Sequence, residues 1–186
     1  MTDPAERLYE RLLVVRCQAG DEAAFAELVG RYAPRLRYFL RKLLGDDHAA
    51  EDALQDVWLD VVRAIPRLAD AGAFAAWAYR IARDRAFRRL RRRRGRPADA
   101  PLDGEALADE SAGEEAFAAE RAEAIHAALD ALSPEHREVL VLRFLESMSY
   151  DDIARVSGCP LGTVRSRLHH AKRALRGALG REDESP

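Results

Sequence analysis

Only two of the 186 residues are cysteines, Cys17 and Cys159, and they lie far apart. That excludes a disulfide-stapled scaffold and a four-cysteine zinc site. The five histidines fall at no metal-ligand spacing with them, so neither a metal nor another cofactor is expected. No apolar run approaches the roughly 20 residues that span a bilayer, which excludes membrane insertion. The first six residues lack a basic start followed by an apolar stretch, so a secretion leader is not expected and the location expected is cytoplasmic. Aromatic residues make up only 7% of the chain and charged residues 33%, a balance that suits small helical cores. Lysine is nearly missing: Lys42 and Lys172 stand beside 28 arginines, since Lys and Arg together number 30.

What is present is a pattern of charge that the net value of −2 conceals. Residues 1–97 carry a net +6, residues 98–120 a net −8 with no Lys or Arg, and residues 121–186 a net of zero. The acidic block contains Pro101, Gly104 and Gly113. One sign of charge and low hydrophobicity favour a solvated linker there. The expected organisation is therefore a domain at 1–96, an acidic linker at 97–120, a second domain at 121–180 and a tail at 181–186. Residues 80–96 contain ten arginines. A helix C-terminus is served by one or two cations, whereas ten point to a polyanion such as nucleic acid.

Helical spacing dominates, and no segment alternates as a strand does. In the first domain a helix is expected over 4–18, with Leu8, Leu12 and Val15 sharing a face. Gly20-Asp21 ends it and caps a second helix, which Pro34 kinks or splits. A third helix over 48–65 buries Ala50, Leu54, Val57, Val61 and Ile65. Its other side carries Asp52, Gln55, Asp56, Leu59 and Arg63, which reads either as a solvated face or as a docking surface with an apolar centre. A loop over 68–73 leads to a fourth helix from Phe74. There Phe74, Trp77, Ala78, Ile81, Ala82 and Leu90 suit a core, while Arg80, Arg83, Asp84, Phe87, Arg88 and Arg91 face outward. Arginines interleaved with rings suit single-stranded nucleic acid, although core is the better reading for Phe74 and Trp77 and a poorer one for the outward Phe87.

The second domain carries the sharper signal. Ile125, Leu129 and Leu132 form one helix face. Ser133 caps a second helix with Pro134 at its first position, and Val139, Leu140, Leu142 and Phe144 supply its apolar side. Ser149 caps a short third helix, Gly158 allows a tight turn, and a last helix runs from Pro160 to about Leu179. A short helix, a glycine turn and a basic helix make the helix-turn-helix pattern. In the last helix Leu161, Val164, Leu168, Ala171 and Leu175 form a core stripe. Arg165, Ser166, His169, His170 and Arg173 lie opposite, flanked by Thr163 and Arg167, and residues 161–179 contain no acid. Arg and Ser on such a face suit base edges and phosphates.

The segments Ala131-Leu132-Ser133-Pro134, Ser149-Tyr150-Asp151-Asp152-Ile153-Ala154 and Gly158-Cys159-Pro160-Leu161-Gly162-Thr163-Val164-Arg165-Ser166-Arg167-Leu168-His169 strongly resemble region 4 of bacterial sigma factors. Ala50-Glu51-Asp52-Ala53-Leu54-Gln55-Asp56-Val57-Trp58 and Phe74-Ala75-Ala76-Trp77-Ala78-Tyr79-Arg80-Ile81-Ala82-Arg83 resemble region 2 of the same sigma-70 family, most closely its extracytoplasmic-function subgroup. The resemblance spans about residues 21–179. It implies an all-α fold of two small helical domains joined by a flexible acidic linker. It also implies a transcription initiation factor that binds core RNA polymerase and assists promoter opening, with no enzyme activity and no small-molecule substrate.

By the same resemblance, Asp52, Gln55, Asp56 and Leu59 dock on the clamp helices of the β′ subunit. Asp70, Gly72, Arg80, Arg83, Asp84, Arg88 and Arg91 meet the single-stranded −10 element. Thr163, Arg165, Ser166, Arg167, His169, His170 and Arg173 read the −35 duplex, while their domain docks on the flap of the β subunit. An anti-sigma factor is an expected partner. Asp84 and Arg88 stand where related sequences often carry Asn and Asp, so the resemblance does not carry over base choice at −10. The competing reading is a stand-alone helix-turn-helix regulator. An enzyme acting on nucleic acid would need a Cys/His cluster, or paired carboxylates beside a nucleophile, and the sequence points to neither.

Overall fold

The computed structural model describes residues 4–94 and 114–182, with side chains for 4–93 and 122–179. Residues 1–3, 95–113 and 183–186 lie outside the described residues, and with them most of the linker expected at 97–120. Helices α1 (Pro4–Gln18), α2 (Glu22–Leu44), α3 (Asp47–Ala64) and α4 (Phe74–Arg94) form the first half. The second half comprises α5 (Glu114–Asp130), α6 (Pro134–Leu140), α7 (Tyr150–Ser157) and α8 (Leu161–Glu182). No strand occurs among the described residues. Residues 114–120, assigned to the linker on charge, are helical. They are rich in Ala and Glu, both strong helix formers.

The helix ends follow local chemistry. Asp21 accepts the Ala24 N–H at 3.0 Å, Ser133 Oγ accepts that of His136 at 3.3 Å, and Ser149 Oγ that of Asp152 at 3.1 Å. Each satisfies a donor the first turn cannot. Gly45 closes α2 at φ 70° and Gly158 closes α7 at φ 61°, a left-handed backbone that favours glycine. Pro34 neither splits nor ends α2, which runs unbroken through it. The carbonyl its ring faces, one turn back, belongs to Gly30, which has no side chain of its own.

The first half closes around Leu28, Leu36, Phe39, Phe74 and Tyr79, all fully buried. Tyr32 meets Phe74 edge-on at 5.1 Å, and Phe39 meets Tyr79 at 5.2 Å, pairs worth about 1 kcal/mol each beyond their buried area. Leu8, Leu12 and Val15 do share a face of α1, but it faces solvent, at 69%, 50% and 52% exposure. The core side is Leu13, Val14 and Cys17 instead. In the second half Val139, Leu142, Ile153, Val156, Val164, Leu168 and Ala171 fill the centre. A π-helical turn at Val141–Leu145 extends α6. It leaves Phe144 and Leu145 exposed, so Phe144 is not part of the core side expected of it; the wider turn rotates it outward.

The two halves touch, α2 against α6 and α4 against α7. Charged groups cross this boundary. Lys42, only 3% exposed, donates to both oxygens of Asp130 at 2.9 and 3.1 Å and to the His126 carbonyl at 3.3 Å. Arg137 donates to the Lys42 carbonyl at 2.7 Å, and Arg35 meets Glu146 at 2.5 Å. Glu138 is fully buried. Its Oε1 accepts Arg83 Nε and Ser157 Oγ, each at 2.7 Å. Burial pushes the Glu138 carboxyl above its ordinary pKa, and Arg83 and Ser157 pull it back only in part.

Candidate nucleic-acid interface

α8 stands against the core on Val164, Leu168 and Ala171. That fixes which residues turn away. Arg165, Ser166, His169, His170 and Arg173 are exposed, and Thr163 and Arg167 are half-buried. The Pro160 carbonyl takes the Thr163 and Val164 N–H groups at 2.9 and 3.2 Å, so Pro160 opens the helix. Ser166 Oγ donates to the Thr163 carbonyl at 3.0 Å. Arg167 approaches Cys159 Sγ at 3.9 Å, across the turn between α7 and α8. The His169 and His170 rings lie edge-on, 5.4 Å apart. Among the described residues, Arg165 and Arg173 have no carboxylate partner. The face therefore offers two free guanidiniums, a hydroxyl and two imidazoles on a rigid rod.

The arginines of α4 are arranged differently. Arg85 reaches Asp56 at 3.4 Å and Asp60 at 2.5 Å. Arg89 reaches Asp56 at 3.0 Å and Asp52 at 3.7 Å. Acids at 52, 56 and 60 thus ladder against bases at 85 and 89, four-residue steps on two neighbouring helices. The ladder was visible in the sequence only as two equal spacings of opposite sign. Arg83 points into the boundary between the halves, on Glu138, with its guanidinium 4.5 Å from the Phe87 ring centre. It is 18% exposed and does not face outward as the spacing suggested. Phe87 likewise packs partly against the core. Arg80, Arg88 and Arg91 are exposed and carry no ion pair among the described residues. Asp84 is exposed, 3.5 Å from Arg83.

The loop between α3 and α4 is held at both ends. Gln18 Nε2 donates to the carbonyls of Ile65 at 3.1 Å and Leu68 at 2.8 Å. Asp70 accepts the Gly72 N–H at 2.8 Å, closing a short turn at Ala71–Ala73. On α3, Gln55 and Leu59 are exposed, and so is Val62, which sequence reasoning did not single out. These three step by four and three residues along one stripe, beside the Asp52 and Asp56 carboxylates that α4 already engages. A separate apolar groove of about 540 Å³ is lined by Tyr38 of α2 and by Ile125, Leu129, Phe144, Leu145 and Leu175 of the second half.

Residues 28–96 match the family model described as Sigma-70 region 2, and residues 122–175 match Sigma-70, region 4. The RNA polymerase sigma-H factor of Pseudomonas aeruginosa is 35% identical over 180 residues, covering 91% of this chain and 93% of that one. The ECF RNA polymerase sigma-E factor of Escherichia coli K12 is 31% identical over 183 residues, covering 92% and 94%. The solved structure of CnrH in complex with the cytosolic domain of CnrY aligns over 95% of this chain and 99% of that one, with TM-score 0.68 and 25% identity. The sigma factor RpoE of Bartonella quintana, solved with the anti-sigma factor NepR, has the same fold at TM-score 0.68 and 24% identity, over 84% and 96% of the two chains. Two family models in order and full-length relatives place this chain in the sigma-70 family of RNA polymerase sigma factors, extracytoplasmic-function subgroup.

Proposed function

We propose that this sigma factor, a transcription initiation factor with no catalytic chemistry of its own, divides promoter recognition between α8 and the loop–α4 unit. The observation that carries the reading is the free face of α8. Arg165, Ser166, His169, His170 and Arg173 stand on the side opposite a buried stripe, with no acid among them. That face reads the −35 duplex from the major groove, helped by Thr163 and Arg167. The loop at 68–73, shaped by Asp70 and Gly72, receives a flipped base of the −10 element. Arg80, Arg88 and Arg91 hold the strand beside it. Asp84 accepts a base amino group there. Arg83 joins them only after it leaves Glu138.

Gln55 and Leu59, with Val62 beside them, dock on the β′ clamp helices, and Asp52 and Asp56 are held in place by Arg89 and Arg85. The apolar groove under Phe144 and Leu145 takes the β flap. The solved relatives in complex with CnrY and with the anti-sigma factor NepR support the reading that an anti-sigma factor also restrains this chain. No helix of the described residues is long and apolar enough to cross a membrane. The cytoplasm, where polymerase and promoters are, is the location we assign.

Run-off transcription with bacterial core polymerase on fragmented source DNA tests this. Specific starts that share −35 and −10 elements are expected. No transcripts together with no co-elution with core would overturn it in favour of a stand-alone regulator.

A further inference from the structure

α1 carries a stripe that the proposed roles leave unused. Arg7, Arg11, Val14 and Gln18 lie within about 60° of one another around the helix, by 3.6-residue geometry. The C-terminal part of the stripe is anchored. Val14 is fully buried, and Gln18 holds the two carbonyls at the start of the 68–73 loop. The N-terminal part is not. Arg7 and Arg11 are exposed and have no carboxylate partner among the described residues. The acids of α1 have partners on α2: Glu10 accepts Tyr32 OH at 2.6 Å, and Glu6 lies 4.0 Å from Arg31.

Arg11 reaches the tip of the loop. A Cβ placed on Gly72 would sit 3.5 Å from Arg11 Nε, 3.6 Å from Arg11 Cδ and 3.2 Å from Asp70 Oδ1. Arg7, Arg11 and Gly72 together line a cleft of about 420 Å³ with Pro4, Leu8 and Glu10. The Asp70 carboxylate accepts the Gly72 N–H and the Glu10 carboxylate accepts the Tyr32 hydroxyl, so each acid near the cleft has a donor of its own, and the two guanidiniums are the cleft's exposed cations. They rise about 6 Å apart along the helix axis, on the scale of one nucleotide step of an extended strand.

We propose that Arg11 and Arg7 bind successive backbone phosphates of the single strand whose base enters the 68–73 loop, making α1 the second wall of the −10 site. The inference rests on the −10 role proposed for that loop. A base extruded into the loop brings its own phosphates with it. Two unpaired guanidiniums at the loop tip offset the cost of holding that strand apart from its complement. The Arg11 stem passes beside Gly72, at ordinary contact distance from a Cβ placed there.

The test uses holoenzyme assembled from core polymerase and the full chain. The probe is a fork-junction DNA whose −10 strand is single, taken from a start mapped by run-off transcription. Binding is measured as a function of salt. Arg11→Gln should weaken fork binding about tenfold. It should also flatten the slope of log K against log salt by about 0.7, the value for one single-strand phosphate. Arg7→Gln on the same background should remove about as much again, and Arg11→Lys should restore most of the slope. One uncharged methylphosphonate linkage in the single strand should weaken wild-type binding and add nothing to Arg11→Gln.

Core affinity, measured in parallel, reports on folding of the variants. Unchanged fork affinity and slope in the double variant overturn the inference and leave the −10 role of the loop standing. So does a loss that no neutral linkage reproduces, because it marks Arg11 as a support for Gly72 only. If wild-type holoenzyme does not bind the fork above core alone, the −10 role itself fails and this inference falls with it.

Discussion

The basic face of α8 and the basic helix α4 look alike in the sequence and differ in what they can do. α8 presents Arg165 and Arg173 unpaired. α4 is far richer in arginine, but Arg83, Arg85 and Arg89 are engaged with Glu138, Asp56, Asp60 and Asp52. Local arginine density therefore overstates the charge free to meet a polyanion. The lesson is one of accounting: a guanidinium already bonded to a carboxylate must first give up that bond before it binds phosphate.

Substitutions can break the comparison. Arg83→Ala should produce the largest loss of stability, about 3 kcal/mol in urea unfolding, because it leaves Glu138 buried without its cation. A loss under about 0.5 kcal/mol, the level of an ordinary surface change, would show that Arg83 is as free as Arg80. Arg165→Ala should behave in the opposite way. Stability should stay within about 0.5 kcal/mol of wild type, while holoenzyme binding to a −35 duplex weakens by about 1–3 kcal/mol. Unchanged duplex binding would remove Arg165 from the reading face.

Gly158→Ala should cost about 1 kcal/mol by forcing a side chain onto φ 61° at the turn that aims α8. Equal stability in thermal unfolding would mean that the turn relaxes. Arg89→Ala should cost only about 0.5 kcal/mol, since Asp52 and Asp56 are partly solvated. That difference should fade in molar salt.

The smallest effect concerns acidity. Burial, then Lys42 and Arg41, lower the His126 pKa. The stability this group contributes is present above its ordinary value near 6.5 and is lost as pH falls through 6.5 toward the depressed one. Glu138, with its raised carboxyl, gives the reverse slope below its own shifted value. Comparing wild type with His126→Gln at pH 7.5 and 5.5 isolates the histidine: wild type should lose more of its urea midpoint on acidification than the variant does.

The order of the helices and their caps was legible in the sequence, because Asp21, Ser133 and Ser149 announce helix starts and the 161–164–168–171–175 stripe fits one period only. α1 was harder. Leu8-Leu12-Val15 and Leu13-Val14-Cys17 both fit helical spacing, and only packing against α2 decides between them. Phe144 was misplaced because a π-helical turn changes the period in mid-segment. On the functional side, the free face of α8 could be read from the chain, but which arginines of α4 are occupied could not. Their partners lie 25 to 55 residues away, where no local periodicity reaches. Arg7 and Arg11 were missed for a similar reason: only the fold brings α1 beside Gly72.

The charged contacts between the halves also bear on how easily they come apart. An interface closed by apolar burial strengthens with every Å² it covers. Here Lys42 and Glu138 sit desolvated at the seam, and each regains its hydration on opening, which offsets much of the attraction lost. Such a seam dictates one docking pose, since a misaligned approach would strand a buried charge. The seam is therefore selective about how it shuts.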